Sequence, residues 1–328
     1  MRTHHGVKAL LQDAEHARRC AIGEGDAMQK ALRRRFAAKE LVRPYPNCYA
    51  DAAYWANLNA EERSLHIIRA LATKHKTWVF AGISAACLHG YQHSYTLHDG
   101  SVTIASNGGH SPRDHESLRR IPMTDIPKWR TSQGILMTSP ARTLIDCAAY
   151  PFVQALPIYD SALRTGKVTA KDVRSTMAKI RRRDDDAVAT LLRHADPRSE
   201  NGGESMLRAH ILTLSYAAPE LQAEFTNPDN PAAPYRVDCC WRLADGQILV
   251  MEYDGMAKYA DTSNPNRASL QAKMDYARRR DQHLWEQGVS GIVHVFYEDI
   301  MQPQRLEHKL MELGVPQPTG GNGIPPKA

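Results

Sequence analysis

Two short runs, Arg236-Val237-Asp238 and Val250-Met251-Glu252-Tyr253-Asp254-Gly255, constrain this chain more than any other feature, because they place three carboxylates on neighbouring strands of one hairpin. Successive side chains of a strand alternate faces, so Ile248, Val250, Glu252 and Asp254 point one way and Leu249, Met251 and Tyr253 the other. Whether Asp238 joins the acids depends on the loop, since a slip of one residue moves a side chain to the opposite face. A two-residue Asp245-Gly246 turn would oppose Asp238 to Tyr253 and disperse the group. A three-residue loop, Ala244 to Gly246, sets Asp238 opposite Glu252, and its last position wants a left-handed residue, which Gly246 supplies. The three-residue loop is the expected one. Rigid grouped carboxylates are a hard-cation site, so Asp238, Glu252 and Asp254 are the expected ligands of Mg²⁺ or Mn²⁺.

A fourth acid precedes the hairpin. Leu207, Ile211 and Leu214 recur at helical spacing from about Gly203 to Tyr216, and Glu204 lies on the same side one turn earlier. Two readings stay open for Glu204, a supporting acid of the site or an i,i+4 ion pair with Arg208.

The order helix acid, Arg-Val-Asp, apolar strand with Glu-Tyr-Asp-Gly, then Lys258-Tyr259 and a basic helix resembles the very-short-patch-repair-like endonuclease domain of the PD-(D/E)XK superfamily. The likeness runs from about Ser199 to Leu313 and takes in Pro219-Glu220-Leu221-Gln222 and Arg280-Asp281. It implies Asp238 and Glu252 as metal ligands, Glu204 as a supporting acid and Gln222 as a site residue. The superfamily pattern has Lys two residues after the Glu. Here Asp254 stands there and the nearest Lys is Lys258, the expected source of positive charge for the attacked phosphate. Related domains also carry an acid where this chain has Ala277, a role left to Asp275 or Asp281.

The front of the chain predicts a small helical module. A helix from about Glu24 to Lys39 stacks Met28, Leu32 and Phe36 on one side and turns Lys30, Arg33 and Arg34 to the other, ahead of an extended piece from Leu41 to Ala50. Such a helix beside a two-stranded wing meets DNA in winged helix-turn-helix proteins; a solvated basic face on a core helix is the alternative. The run Ala38-Lys39-Glu40-Leu41-Val42-Arg43-Pro44-Tyr45-Pro46-Asn47-Cys48-Tyr49, with Gly82 to Gly90 and Ser139 to Asp146, resembles the abortive-infection type IV antitoxin family over about residues 1–175. That resemblance implies a winged-helix DNA-binding domain, repression of its own operon and a toxin protein encoded nearby as partner.

Between these regions the chain reads as mixed α/β, with a helix over Ala60–Lys74, a strand over Ser101–Ala105 and a helix started by Ser139 and Pro140. Ser84 and His89 are expected to pack rather than catalyse. His4, His5, His89, His93, His98 and His110 present no expected zinc set, and the six cysteines, without a C-x-x-C spacing, read as reduced thiols.

The expected architecture is therefore α/β (α+β) in parts: a winged helix at 1–55, a mixed α/β domain at 56–195, a restriction-endonuclease-like domain at 199–315 with a mixed sheet flanked by helices, and a disordered Pro/Gly-rich tail at 316–328. In the basic helix from about Ala268 to Gln287, Lys273, Arg279 and Arg280 are expected to lie along a phosphate backbone, as are Lys30, Arg33 and Arg34 in front. The net charge of +6 suits a polyanionic partner, no apolar run is long enough to span a bilayer, and the start lacks an apolar signal core, so a cytoplasmic location is expected. The expected function is Mg²⁺-dependent hydrolysis of DNA phosphodiesters; the alternative is a catalytically silent, antitoxin-like repressor.

Overall fold

A computed structural model of the chain describes residues 5–109, 111, 114–126, 128–131, 133–180, 185–254 and 270–318, the side chains of 5, 185 and 270–274 excepted. Lys258 and the Lys273 side chain lie outside the described residues, as does the expected tail from residue 319 on. Two compact units make up the chain, residues 1–149 with 166–188 and residues 150–165 with 189–328. Helices and sheets occur in both, an α+β fold.

The first unit starts with α1 (His5–His16), α2 (Gly25–Ala37) and the hairpin β1 (Leu41–Tyr45) and β2 (Cys48–Asp51). Val7, Ala31, Leu32, Leu41 and Tyr49 form their core. Lys30, Arg33 and Arg34 are exposed on the outer side of α2, as the stacking of Met28 and Leu32 requires. Phe36 departs from the expected buried stripe: it is 39% exposed, with the Arg43 guanidinium 5.1 Å from its ring centre. α3 (Ala52–Ala56) and α4 (Ala60–Lys74) follow; α4 is closed by Asn59 and Glu62, each accepting from the other's backbone N–H. A five-stranded mixed sheet ordered β5-β4-β3-β7-β6 is built from β3 (Val79–Phe80), β4 (Val102–Ser106), β5 (Leu118–Pro122), β6 (Lys128–Arg130) and β7 (Leu136–Thr138), with α5 (Gly82–His89) between β3 and β4 and α6 (Pro140–Cys147) after β7. Ser84 Oγ accepts from the Thr103 backbone N–H and His89 donates to the Thr138 carbonyl, so both serve packing.

Helix α7 (Phe152–Arg164) belongs to the second unit and α8 (Ala170–Ile180) to the first; the division falls within α9 (Asp185–His194). The second unit continues with α10 (Gly202–Thr213), β8 (Glu220–Phe225), β9 (Tyr235–Arg242), β10 (Ile248–Asp254), α11 (Leu270–Glu286), β11 (Val289–Phe296), α12 (Tyr297–Ile300) and α13 (Pro303–Leu313). Its sheet is ordered β11-β10-β9-β8, antiparallel except for β11, which runs parallel to β10. Leu207 and Ile211 of α10 and Leu306 and Leu310 of α13 pack with Leu249, Met251 and Trp241 on one face. On the other, Leu284 of α11 meets Val237, Cys240 and Val250. Cys239 and Cys240 thus lie in different cores, and both thiols are free. Pro316 accepts from the Ala217 N–H, which fixes the start of the expected tail.

The hairpin has the three-residue loop. Leu243 N–H donates to the Gln247 carbonyl at 2.8 Å, Gly246 takes φ +90°, and the ladder runs from Arg242↔Ile248 to Cys239↔Met251. The ladder ends there, one position short of Asp238 and Glu252.

Arg208 does not pair with Glu204. Its guanidinium lies 2.6 Å from Asp160 of α7 and also donates to the His194 carbonyl, and Asp160 is fully buried. Burial outweighs Arg208 and pushes the Asp160 carboxyl up from its ordinary value. Removing one partner of such a pair leaves an uncompensated buried charge. Arg208→Ala is expected to cost roughly 3–5 kcal/mol of stability in denaturant unfolding; a loss below about 1 kcal/mol, the range of a surface pair, would contradict this.

Candidate functional site

Helix α10 begins where its acid is needed. Asn201 caps it, accepting from the Glu204 N–H at 3.0 Å, and the Asn201 amide donates back to Glu204 Oε1. Glu204 Oε2 also accepts from the Glu200 N–H at 2.7 Å. Gly203 has no side chain because the Tyr253 ring of β10 occupies the space a Cβ would fill. The first turn of α10 is thereby seated on the end of β10, with Glu204 turned toward the strands.

The strands are deformed at the same level. Gln222 has φ +54°, left-handed and costly for a residue with a side chain. Its neighbours Leu221 and Ala223 lie in cores on opposite faces of the sheet, which a regular strand forbids. Val237 and Cys239, flanking Asp238, are divided in the same way. Gln222 and Asp238 therefore stand together where β8 and β9 turn over. The Gln222 amide donates at 3.3 Å to both Glu204 Oε2 and Asp238 Oδ1, and the Tyr253 N–H donates to Asp238 Oδ2 at 2.8 Å.

Glu252 is buried on the next strand, and Arg280 of α11 donates to its Oε1 at 2.6 Å and to the Arg236 carbonyl at 2.7 Å. Burial and the neighbouring Asp238 raise Glu204 to about 7. Burial also raises Glu252 to about 7, with Arg280 opposing the rise and Asp238 adding to it.

Asp254 is drawn elsewhere. Its carboxylate meets His294 Nδ1 at 2.9 Å, while His294 Nε2 faces Asp281 of α11 at 3.4 Å. Hydrogen bonds to Asp254 and Asp281 lift His294 to about 10, so the ring is cationic at neutral pH. His294 sits opposite Glu252 in the parallel register, so a cation reaches this face from β11.

No protein-family model matches the chain, and no curated protein matches it. Among solved structures, the RV2827C protein from Mycobacterium tuberculosis is similar at a TM-score of 0.32 and 15% identity, over 62% of this chain and 78% of that one.

Two corrections follow for the expected residues. Asp238, Glu252 and Asp254 are not gathered round one point: among the described residues, the one His/Cys/Asp/Glu group whose ligand atoms all lie within 4.8 Å of one another is Cys87, His93 and His98. Asp254 is held by His294, and Glu204 takes its place beside Asp238. Arg280 is not a free phosphate contact, since Glu252 binds it in the site. Arg279 is exposed, 3.4 Å from Asp229. The roles of Arg280 and His294 were missed. The signal for His294 was a polar residue inside the apolar run Val289–Phe296.

The raised glutamates predict a pH signature. An ordinary Glu titrates at 4.5, and Glu204 in the fold at about 7. Below 4.5 it is protonated folded or unfolded and its burial costs no charge; above about 7 it is ionised in both states and that cost is fully present. Stability contributed by the protonated side chain is thus lost as pH rises from 4.5 through 7. Glu204→Gln is expected to raise the Tm over wild type at pH 8, by about 2–4 °C per kcal/mol recovered, and the gap should close by pH 5. An equal difference at both pH values would refute the assignment.

Proposed function

We propose that the second unit is a divalent-metal-dependent phosphodiester hydrolase acting on DNA. The observation that carries this reading is the Gln222 amide joining Glu204 of the helix start to Asp238 of β9, with Glu252 on the adjacent strand near enough for Asp238 to act on its charge. The same order of acids underlies the resemblance to the very-short-patch-repair-like endonuclease domain.

The donor set suits a hard cation. Its atoms are carboxylate oxygens, and Arg280 supplies the positive charge that Glu252 takes. Asp238 and Glu252 would hold Mg²⁺ or Mn²⁺, supported by Glu204. Such an ion supplies Lewis-acid polarisation of a phosphate and a more acidic water. The chain's own groups do the rest. Gln222 holds Glu204 and Asp238 apart by one amide, and the Tyr253 N–H orients Asp238. Asp254, at the position where the superfamily pattern has Lys, is neutralised by His294, which Asp281 also holds. The basic, exposed face of α2 with Lys30, Arg33 and Arg34 fits a DNA backbone.

A second reading, a silent DNA-binding repressor beside a toxin, is favoured by Arg280 itself, which already neutralises Glu252. One experiment separates the two. Supercoiled plasmid incubated with the full chain and Mg²⁺ or Mn²⁺ should be nicked, and Asp238→Ala or Glu252→Ala should slow nicking by more than about a hundredfold. No cutting by wild type, or equal cutting by the variants, rejects the hydrolase. In gel shifts on DNA from its own promoter, Arg33→Ala and Arg34→Ala should each lower the salt slope of binding by about one. That result without cutting is the repressor's.

A further inference from the structure

The first unit gathers a second set of ligand atoms, of different chemistry from the carboxylates. Cys87 lies at the end of α5, and His93 and His98 lie in the segment that follows the left-handed Gly90. Cys87 Sγ is 3.7 Å from His93 Nε2, and His93 Nε2 is 2.7 Å from His98 Nε2. Cys87 and His93 are buried.

The far nitrogens decide what faces inward. His93 Nδ1 lies 2.6 Å from the Tyr91 carbonyl, and a carbonyl only accepts, so Nδ1 carries the proton and Nε2 of the neutral ring is a lone pair. His98 Nδ1 lies 2.8 Å from Ser64 Oγ of α4. A carbonyl or hydroxyl on the outer nitrogen is the second shell that orients metal-bound imidazoles. Without an ion, the 2.7 Å contact is a hydrogen bond donated by His98 Nε2–H to the His93 Nε2 lone pair, and Cys87 keeps its thiol proton. With the His98 proton moved to Nδ1 and Ser64 Oγ accepting it, both inner nitrogens present lone pairs, and the sulfur becomes the third donor on losing its proton.

The spacing also fits. Zn–S near 2.3 Å and Zn–N near 2.0–2.1 Å at a tetrahedral angle separate sulfur from nitrogen by roughly 3.6 Å, against 3.7 Å for Cys87 and His93. The two nitrogens, 2.7 Å apart, would part by about 0.6 Å, to roughly 3.3 Å. Charge is answered as well. A thiolate and two neutral imidazoles leave a divalent ion one positive charge in excess, and Glu61 of α4 acts electrostatically on both Cys87 and His93.

We propose that Cys87, His93 and His98 form a binding site for Zn²⁺ or a like transition-metal ion, with Glu61 as its charge partner. Binding forms a metal–sulfur bond and releases the Cys87 thiol proton to solvent. The ion ties the 91–98 segment to α5 and, through His98 and Ser64, to α4.

Cobalt(II) titration of the full chain, reduced and stripped with a chelator, tests this. Wild type should take up one equivalent with a thiolate-to-cobalt charge-transfer band, which Zn²⁺ abolishes. Carboxylate sites give no such band, so the cluster around Asp238 cannot produce it. Cys87→Ser should lose the band, and His98→Gln, at the half-buried ring, should weaken uptake by more than about tenfold. Absence of the band in wild type, its survival in Cys87→Ser, or unchanged uptake by His98→Gln overturns the proposal. Should Cys87→Ser fail to fold, the wild-type titration and His98→Gln still decide.

Discussion

The left-handed backbone at Gln222 is the constraint on which the candidate site depends. A strand with regular alternation would send Leu221 and Ala223 into the same core; instead the chain turns over between them, and β9 turns over with it at Asp238. That shared turn places the Gln222 amide between Glu204 and Asp238. Strain of this kind costs about 1–3 kcal/mol and persists only where the surroundings impose it. Here they do: Asn201 fixes the start of α10, Gly203 admits the Tyr253 ring, and the Tyr253 N–H holds Asp238.

Burying carboxylates side by side is unfavourable, and the two raised glutamates register that cost. The fold answers it from α11 and β11, with Arg280 on Glu252 and His294 between Asp254 and Asp281. A site built for a cation and a site neutralised by the protein's own cations share this first layer. They differ in whether Arg280 gives way.

Local chemistry was legible in the sequence where it acts over a few residues. The loop at Gly246 required a left-handed residue and so determined which residues face each other across the hairpin. The cap at Ser139 was equally readable, and so was the stripe of α2 apart from the exposed Phe36. Pairings between distant segments were not. Nothing near Arg208 announces Asp160, and nothing near Glu252 announces Arg280; each pair is made only once a helix packs on another element. Periodicity made Asp254 a companion of Glu252, but its partner comes from a strand forty residues on. Cys87, His93 and His98 lacked a familiar ligand spacing because their convergence is made by the segment after Gly90 and by Ser64 of α4.

The proposed hydrolase stands on Asp238 and Glu252 sharing a divalent cation. Crystals of the chain soaked in Mn²⁺ would test it most directly, through anomalous scattering. A peak is expected within roughly 2.0–2.6 Å of oxygens from both Asp238 and Glu252, with Arg280 moved off Glu252. No peak there, with the Arg280–Glu252 pair intact, would contradict it.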